Sequence, residues 1–287
     1  MMTDVPEIAF NNGETIPQIG LGVFLMKDKD EFMKAIKWAI DAGYRHFDTA
    51  AYYGNEQWLG EALKESGLKR DEYFVTSKVW NSDHGYDKTM ATFEKTRNKL
   101  GLDYLDLYLV HWPAPDYVGS WKAMEELYKA GKIKSIGVSN FKKHHMEDLM
   151  SQTEIKPVID QIETHPYFQQ TELVNYLQDN EIVHEAWSPM GRGSDGIFDD
   201  AVLKEIAAAH NKTVAQVILR WHIQRNTVII PKSVHEARLK ENFDIFDFEL
   251  TEDDMKKIAT LDTGKRIYAD PDNTAWLEKS AKKPLPE

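Results

Sequence analysis

Three short stretches place groups capable of acid–base chemistry where apolar runs end. In HFDTAAYYGNE, residues 46–56, a strand-like run closes on Asp48, and Tyr52 and Tyr53 follow before a glycine. Lys78 interrupts the apolar run YFVTSKVW, and His111 interrupts LDLYLVHW. An isolated ammonium inside such a strand costs several kcal/mol, so Lys78 must be paired, neutral or in reach of water. Asp48, at the same level of the neighbouring strand, is the partner the pattern supplies. A plain salt bridge satisfies that much. A phenol beside the lysine cation goes further, because the cation favours the phenolate and lowers the tyrosine pKa from about 10. Asp, Tyr, Lys and His would then form an acid–base group for a carbonyl: the tyrosine protonates the oxygen, the lysine tunes it and the histidine orients the substrate. The residues alone do not choose between Tyr52 and Tyr53. His111 reads equally as a satisfied core histidine.

These groups need a scaffold that gathers strand ends. Short apolar runs such as RHFDTA, IKSIGVSN, PVIDQIETH, IVHEAWSP and TVIIPKS alternate with amphipathic segments. Phe32, Ile36, Ala39 and Ile40 share one helical face, as do Trp58, Leu59, Ala62 and Leu63, and Trp121, Met124, Leu127 and Tyr128. Counting gives eight strands, each followed by a helix, with the near-continuous apolar character of buried parallel strands. That pattern predicts one (β/α)8 TIM barrel over residues 1–287, with chemistry at the C-terminal strand ends. Residues 7–17, with Asn12-Gly13 between extended runs, predict an N-terminal β-hairpin closing the floor. LTEDDMKKIATL predicts an extra C-terminal helix with a Thr251–Asp254 capping box. The tail, residues 262–287, carries Trp276 and little periodicity. It reads equally as disordered or as folded over a site.

The totals agree with a soluble protein. The chain has 287 residues, 42% hydrophobic and 11% aromatic, enough for a large core. A net charge of −12 argues against sequence-independent nucleic-acid binding, which needs a basic face. There is no cysteine, which excludes disulfides, thiolate zinc sites and cysteine nucleophiles. No basic-then-apolar leader opens the sequence and no run approaches the ~18 apolar residues of a membrane span, so a cytoplasmic protein is expected.

DTAAYYGNE, SKVW, LVHWP, GVSNF, QIETHP and IPKSVHEARLKEN, in that order, resemble the aldo-keto reductases over nearly the whole chain. The resemblance is nearest to the bacterial branch of 2,5-diketo-D-gluconate reductases. It implies a monomeric barrel that reduces aldehydes and ketones, sugar-derived or α-dicarbonyl, with NADPH and no Rossmann domain. The family's proton donor is the tyrosine before the glycine, which matches Tyr53, and its partners match Asp48, Lys78 and His111. The nicotinamide carboxamide ligands match Ser139, Asn140 and Gln161, and Trp187 takes the stacking position. The resemblance also implies cofactor contacts from Ser188, Met190 and Gly191, the last opening the loop 191–196 that in the family folds over the pyrophosphate. The adenosine end matches Lys232, Ser233, Val234, Arg238, Glu241 and Asn242, with His235 standing where close relatives often carry arginine. Ser233 and Glu236 also spell a capping box. Local basicity at this end of an acidic chain favours a 2′-phosphate, hence NADPH. Phe24, Trp80, His111, Trp112 and Trp276 would line the substrate pocket.

Other signals point nowhere new. GRGSDG, residues 191–196, matches G-x-G-x-x-G but lies after strand seven rather than in an opening βαβ unit. Arg192 in it could reach a phosphate, an acidic substrate or water. His144-His145 reads as a solvated helix face, and no H-x-H or H-E-x-x-H supports a metal. Two rival functions remain. One is a two-carboxylate hydrolase using Asp48 with Glu163 or Glu185, which leaves Lys78 unexplained. The other is a cofactor-binding sensor without turnover.

Overall fold

The computed structural model describes residues 5–286. Eight parallel strands run in sequence order around a barrel: β3 (Leu21–Gly22), β4 (His46–Asp48), β5 (Phe74–Val79), β6 (Leu105–Val110), β7 (Ile133–Ser139), β8 (Ile159–Glu163), β9 (Val183–Trp187) and β10 (Val228–Ile229). A parallel bridge between Ile19 and Ile229 closes the ring, with Gly20 N–H donating to the Ile229 carbonyl at 2.8 Å and Ile229 N–H to that of Gln18 at 3.0 Å. Ahead of the barrel, β1 (Glu7–Ala9) and β2 (Thr15–Pro17) pair antiparallel. Gly13 supplies the turn's positive φ of 91°. Ile8, Phe10 and Ile16 from this hairpin pack on Leu107, Leu109, Ile159 and Val228, plugging the floor.

Eight helices follow the eight barrel strands: α1 (Lys29–Ala42), α2 (Glu56–Ser66), α3 (Tyr86–Leu100), α4 (Tyr117–Lys129), α5 (Lys143–Gln152), α6 (Thr171–Asp179), α8 (Val214–Gln224) and α9 (Glu236–Phe243). The apolar faces read from sequence turn inward, with Phe32, Ile36, Leu59, Trp121 and Met124 all fully buried. Three helices stand outside the alternation: α7 (Ala201–His210), α10 (Glu252–Ala259) and α11 (Thr274–Ala281). The sequence anticipates only α10, whose capping box forms, Thr251 Oγ1 accepting from Asp254 N–H at 3.1 Å. α7 packs beside it in a second core that includes Leu203, Ile206, Trp221 and Ile258. Among the described residues, no helix is long and apolar enough to cross a membrane.

From residue 262 to residue 286 the tail folds across the barrel mouth and includes α11. Glu163, fully buried at the end of β8, accepts from Ile267 N–H at 2.7 Å and Tyr268 N–H at 3.2 Å. Lys142 then holds Asp270 and Asp272 at 2.6 and 2.7 Å. Asn81 donates to Ser280 Oγ at 2.7 Å on α11. His144, on the solvated face as expected, and the more buried His145 lie 3.0 and 3.5 Å from Asp272 and border this latch. The Lys142 ammonium already supplies the cation that Asp272 needs.

One buried group works against the fold. Asp160 on β8 is completely buried; its Oδ1 accepts one long bond, 3.4 Å from Phe141 N–H, and its Oδ2 has no partner. Burial raises its pKa well above the usual carboxylate value. A carboxyl whose pKa is raised by folding loses stability as pH climbs from its unfolded pKa, about 3.9, toward the folded one. Asp160→Asn should therefore raise Tm by roughly 2–4 °C at pH 8, and the gain should fade toward about pH 4, read by calorimetry at both values.

Candidate active site

The strand ends converge on a cavity of about 320 Å³ whose walls include Phe24, Tyr52, Tyr53, Trp80, His111, Trp112, Trp187 and Tyr268. Asp48 is part of its lining, and behind it, paired with Asp48, lies Lys78. This side chain is fully buried, with Nζ 2.6 and 2.7 Å from the two Asp48 oxygens and 3.0 Å from the Thr49 carbonyl. Burial works against the ammonium, but the Asp48 charge and hydrogen bonds outweigh it and hold the lysine pKa above its ordinary value. The pair offsets a desolvation cost that either ion alone could not bear.

The two tyrosines separate. A short helical turn, Ala51–Tyr53, sends neighbouring side chains in different directions. Tyr52 stacks on Trp80, with ring centroids 3.9 Å apart and planes 18° from parallel, and its hydroxyl meets the Lys283 ammonium from the tail. Tyr53 turns inward, its ring 5.2 Å from Lys78 Nζ and 5.8 Å from the His111 ring. Asp48, Tyr53, Lys78 and His111 are thus gathered in one place.

One expectation changes. The Tyr53 pKa is not lowered; it is pushed up to about 12, because burial outweighs the pull of Lys78, and Asp48 adds to the rise. The phenol therefore keeps its proton throughout the neutral range. Lys78 limits the cost of losing that proton rather than ionising the group beforehand. His111 is held neutral, its pKa lowered well below 6.5 by burial and by the Lys78 charge. Its Nδ1 is buried without a partner.

Beside this group runs an amide network. Asn140 Nδ2 donates to the His111 carbonyl and to Ser139 Oγ, both at 3.0 Å, while Asn140 Oδ1 accepts from Trp187 Nε1 at 2.9 Å. Ser139 Oγ donates to the Gln161 carbonyl at 2.7 Å. Gln161 spends its Nε2 on Asp48 Oδ2 at 2.8 Å and Glu185 Oε2 at 2.9 Å. Gln161 therefore offers the cavity an acceptor oxygen, and its donors are taken. Asn140 and Ser188, at the ends of β7 and β9, hold left-handed backbone with φ of 64° and 50°, strain that commonly marks a binding site.

The cavity continues past Met190 and Arg192 to Ile230, Pro231 and Lys232. Gly191 sits just behind this lining, packed on His165. Ser233, Val234, Arg238, Glu241 and Asn242 lie beyond it, before and along α9. Two expectations are corrected here. Ser233 makes no capping box: His235 is the N-cap of α9, and Ser233 Oγ accepts from His235 N–H at 3.1 Å instead. That helix start carries no side-chain cap, so its N–H groups stay open to an anion. Trp276 does not line the cavity; it backs Trp112 at 4.6 Å, and Tyr268, which sequence reasoning missed, takes the tail's place on the wall. Arg192 lies over Phe24, Trp187 and Tyr268 at 5.2–5.9 Å.

NADPH fits this set of residues. Gln161 Oε1 is a ready acceptor for a carboxamide, and Trp187 lines the cavity beside it. Among the described residues, neither the Lys232 nor the Arg238 side chain makes an ion pair or hydrogen bond, although the chain carries −12 net charge. The hydrolase geometry does not form. Glu163 is spent on the tail, and Glu185 is fully buried beneath Gln161.

Comparison with known proteins agrees. The model of the Aldo/keto reductase family matches residues 18–196 and 197–263. The glyoxal reductase of Bacillus subtilis is 52% identical over 266 residues, covering 92% of this chain and 96% of its own. The methylglyoxal reductase DkgA of Escherichia coli K12 is 45% identical, covering 94% and 98%. A Bombyx mori aldo-keto reductase solved with NADP superposes with a TM-score of 0.89 at 38% identity, covering 96% and 97%.

Proposed function

This chain belongs to the aldo/keto reductase family and is an NADPH-dependent carbonyl reductase, and from that premise we propose that Tyr53 is its proton donor and small α-dicarbonyl or sugar-derived carbonyl compounds its substrates. The single observation that carries the reading is the fully buried Lys78–Asp48 pair at 2.6 Å beside the Tyr53 phenol. When bound, NADPH supplies the hydride to the carbonyl carbon. Tyr53 then gives its hydroxyl proton to the carbonyl oxygen, and the phenolate left behind faces the Lys78 ammonium. His111, neutral and on the cavity wall, orients the carbonyl. The aromatic walls exclude water and discriminate weakly among small carbonyl compounds, so broad specificity follows. Glyoxal, methylglyoxal and 2,5-diketogluconate fit that description, and the first two are named in the relatives' activities.

Ser139, Asn140, Gln161 and Trp187 would hold the nicotinamide end, Ser188, Met190 and Gly191 the pyrophosphate, and Lys232 through Asn242 the adenosine end. Replacing both Lys232 and Arg238 by Ala should raise KM for NADPH about tenfold or more, because charge-assisted contacts are worth roughly 1.5–3 kcal/mol. KM for NADH should hardly move. We read residues 1–287 as one barrel unit acting as a monomer, since one chain supplies every group of the site, and in the cytoplasm, as the sequence leads one to expect. Initial rates with glyoxal, methylglyoxal and 2,5-diketogluconate, each with NADPH and NADH, test the reading. No oxidation of NADPH with any carbonyl compound would defeat it.

A further inference from the structure

Beneath the reductase site lies a carboxyl group that the chemistry above does not use. Glu185 is fully buried inside the barrel and stands in register with Gln161 on β8 and Val228 on β10. Its Oε2 accepts from Gln161 Nε2 at 2.9 Å, while the same amide nitrogen donates to Asp48 Oδ2 at 2.8 Å. Two carboxyl groups thus share one amide and face one cation. That cation is not shared evenly. Lys78 Nζ is 2.6 and 2.7 Å from the Asp48 oxygens, and no ion pair joins it to Glu185.

The remaining neighbours do not rescue a charge on Glu185. Its Oε1 has no hydrogen-bond partner. The nearest basic group, His46 Nε2 on β4, is 3.9 Å away, and burial together with the Lys78 charge keeps that imidazole neutral. The groups around Glu185 are therefore Asp48 and His46 from β4, Lys78 from β5 and the Gln161 amide from β8. An ionised Glu185 would be a second buried anion beside Asp48, at a cost of several kcal/mol.

We propose that Glu185 is a positioning residue of the reductase site, present as the neutral carboxylic acid, which fixes Gln161 against Asp48 and leaves the Asp48–Lys78 pair charge-balanced beside Tyr53. The inference rests on the reductase reading above. Loss of the Glu185 proton would add a negative charge beside Asp48 and Lys78, weakening the cationic support that the Tyr53 phenolate draws from Lys78 and slowing proton donation. Burial and the Asp48 charge raise the Glu185 pKa above the carboxylate range, so the loss falls on the alkaline side. Tyr53, at about 12, Lys78, which is raised, and His111, already neutral, do not titrate there. Burial raises Asp48 as well, but the Lys78 charge and the Lys78 and Gln161 hydrogen bonds pull it back, and Glu185 lacks the hydrogen bond from Lys78.

The test compares kcat/KM for methylglyoxal between about pH 6 and about pH 9.5 in the wild type and in Glu185→Gln, which keeps the size of the group and cannot ionise. The wild-type value should fall on the alkaline side, approaching tenfold per pH unit. The variant should lack that limb, so that the variant-to-wild-type ratio rises about tenfold across it. A side chain that merely filled space would leave the two profiles parallel, and parallel profiles overturn the proposal. If the variant fails to fold, the wild type decides, because a rate flat to about pH 9.5 contradicts the proposal too. A wild type that oxidises no NADPH at any pH would instead count against the reductase reading itself.

Discussion

Tyr53→Phe should bind NADPH within about twofold of the wild type while losing between about 10²- and 10⁴-fold in carbonyl reduction. The substitution removes one oxygen and leaves the ring, which packs 4.9 Å from Phe24, so the cavity keeps its shape. What disappears is the hydroxyl facing Lys78. His111 cannot replace it, because burial and the Lys78 charge hold that imidazole neutral, without a spare acid proton. Tyr52 cannot replace it either, being stacked on Trp80 with its hydroxyl held by Lys283. Fluorescence titration with NADPH and initial rates with methylglyoxal separate the binding defect from the chemical one.

Lys78→Met should reduce both turnover and stability. Without the ammonium, Asp48 is left 1% exposed with Gln161 as its remaining side-chain donor. Breaking a buried pair by removing one partner costs about 3–5 kcal/mol. The direction with pH follows from linkage. Alone in the barrel, Asp48 would have a folded pKa well above its unfolded value. The variant would then lose stability as pH rises, and urea unfolding should show a larger deficit at about pH 8 than at about pH 5. Adding Asp48→Asn removes the stranded charge and should recover much of the stability but none of the activity. Equal loss at both pH values would mean that Asp48 carries no stranded charge in the variant.

The reading of Lys78 succeeded because a cation inside an apolar strand has few affordable arrangements, and Asp48 supplied one. The barrel was legible for a similar reason: eight buried parallel strands cannot read as anything but apolar runs. What failed depends on contacts between distant residues. Residue types alone preferred neither tyrosine, and only the family resemblance pointed to Tyr53. The different directions set by the turn at Ala51–Tyr53 are not written in the residue types. Tyr268 reaches the wall because Glu163, 105 residues earlier, captures its backbone N–H. α11 is docked by Asn81, 199 residues from Ser280, and its eight residues are too few for a clear period. The Tyr53 pKa was misjudged because a neighbouring charge is visible in a sequence and the depth of burial is not.

The central claim is that the Tyr53 hydroxyl, set against Lys78, delivers the proton. Single-turnover reduction of methylglyoxal by NADPH-loaded wild type, Tyr53→Phe and Tyr52→Phe, followed by stopped flow, tests it most directly. The account predicts a rate collapse in Tyr53→Phe alone, with Tyr52→Phe within about threefold of the wild type. A Tyr53→Phe enzyme that turns over at the wild-type rate, or a collapse confined to Tyr52→Phe, would contradict it.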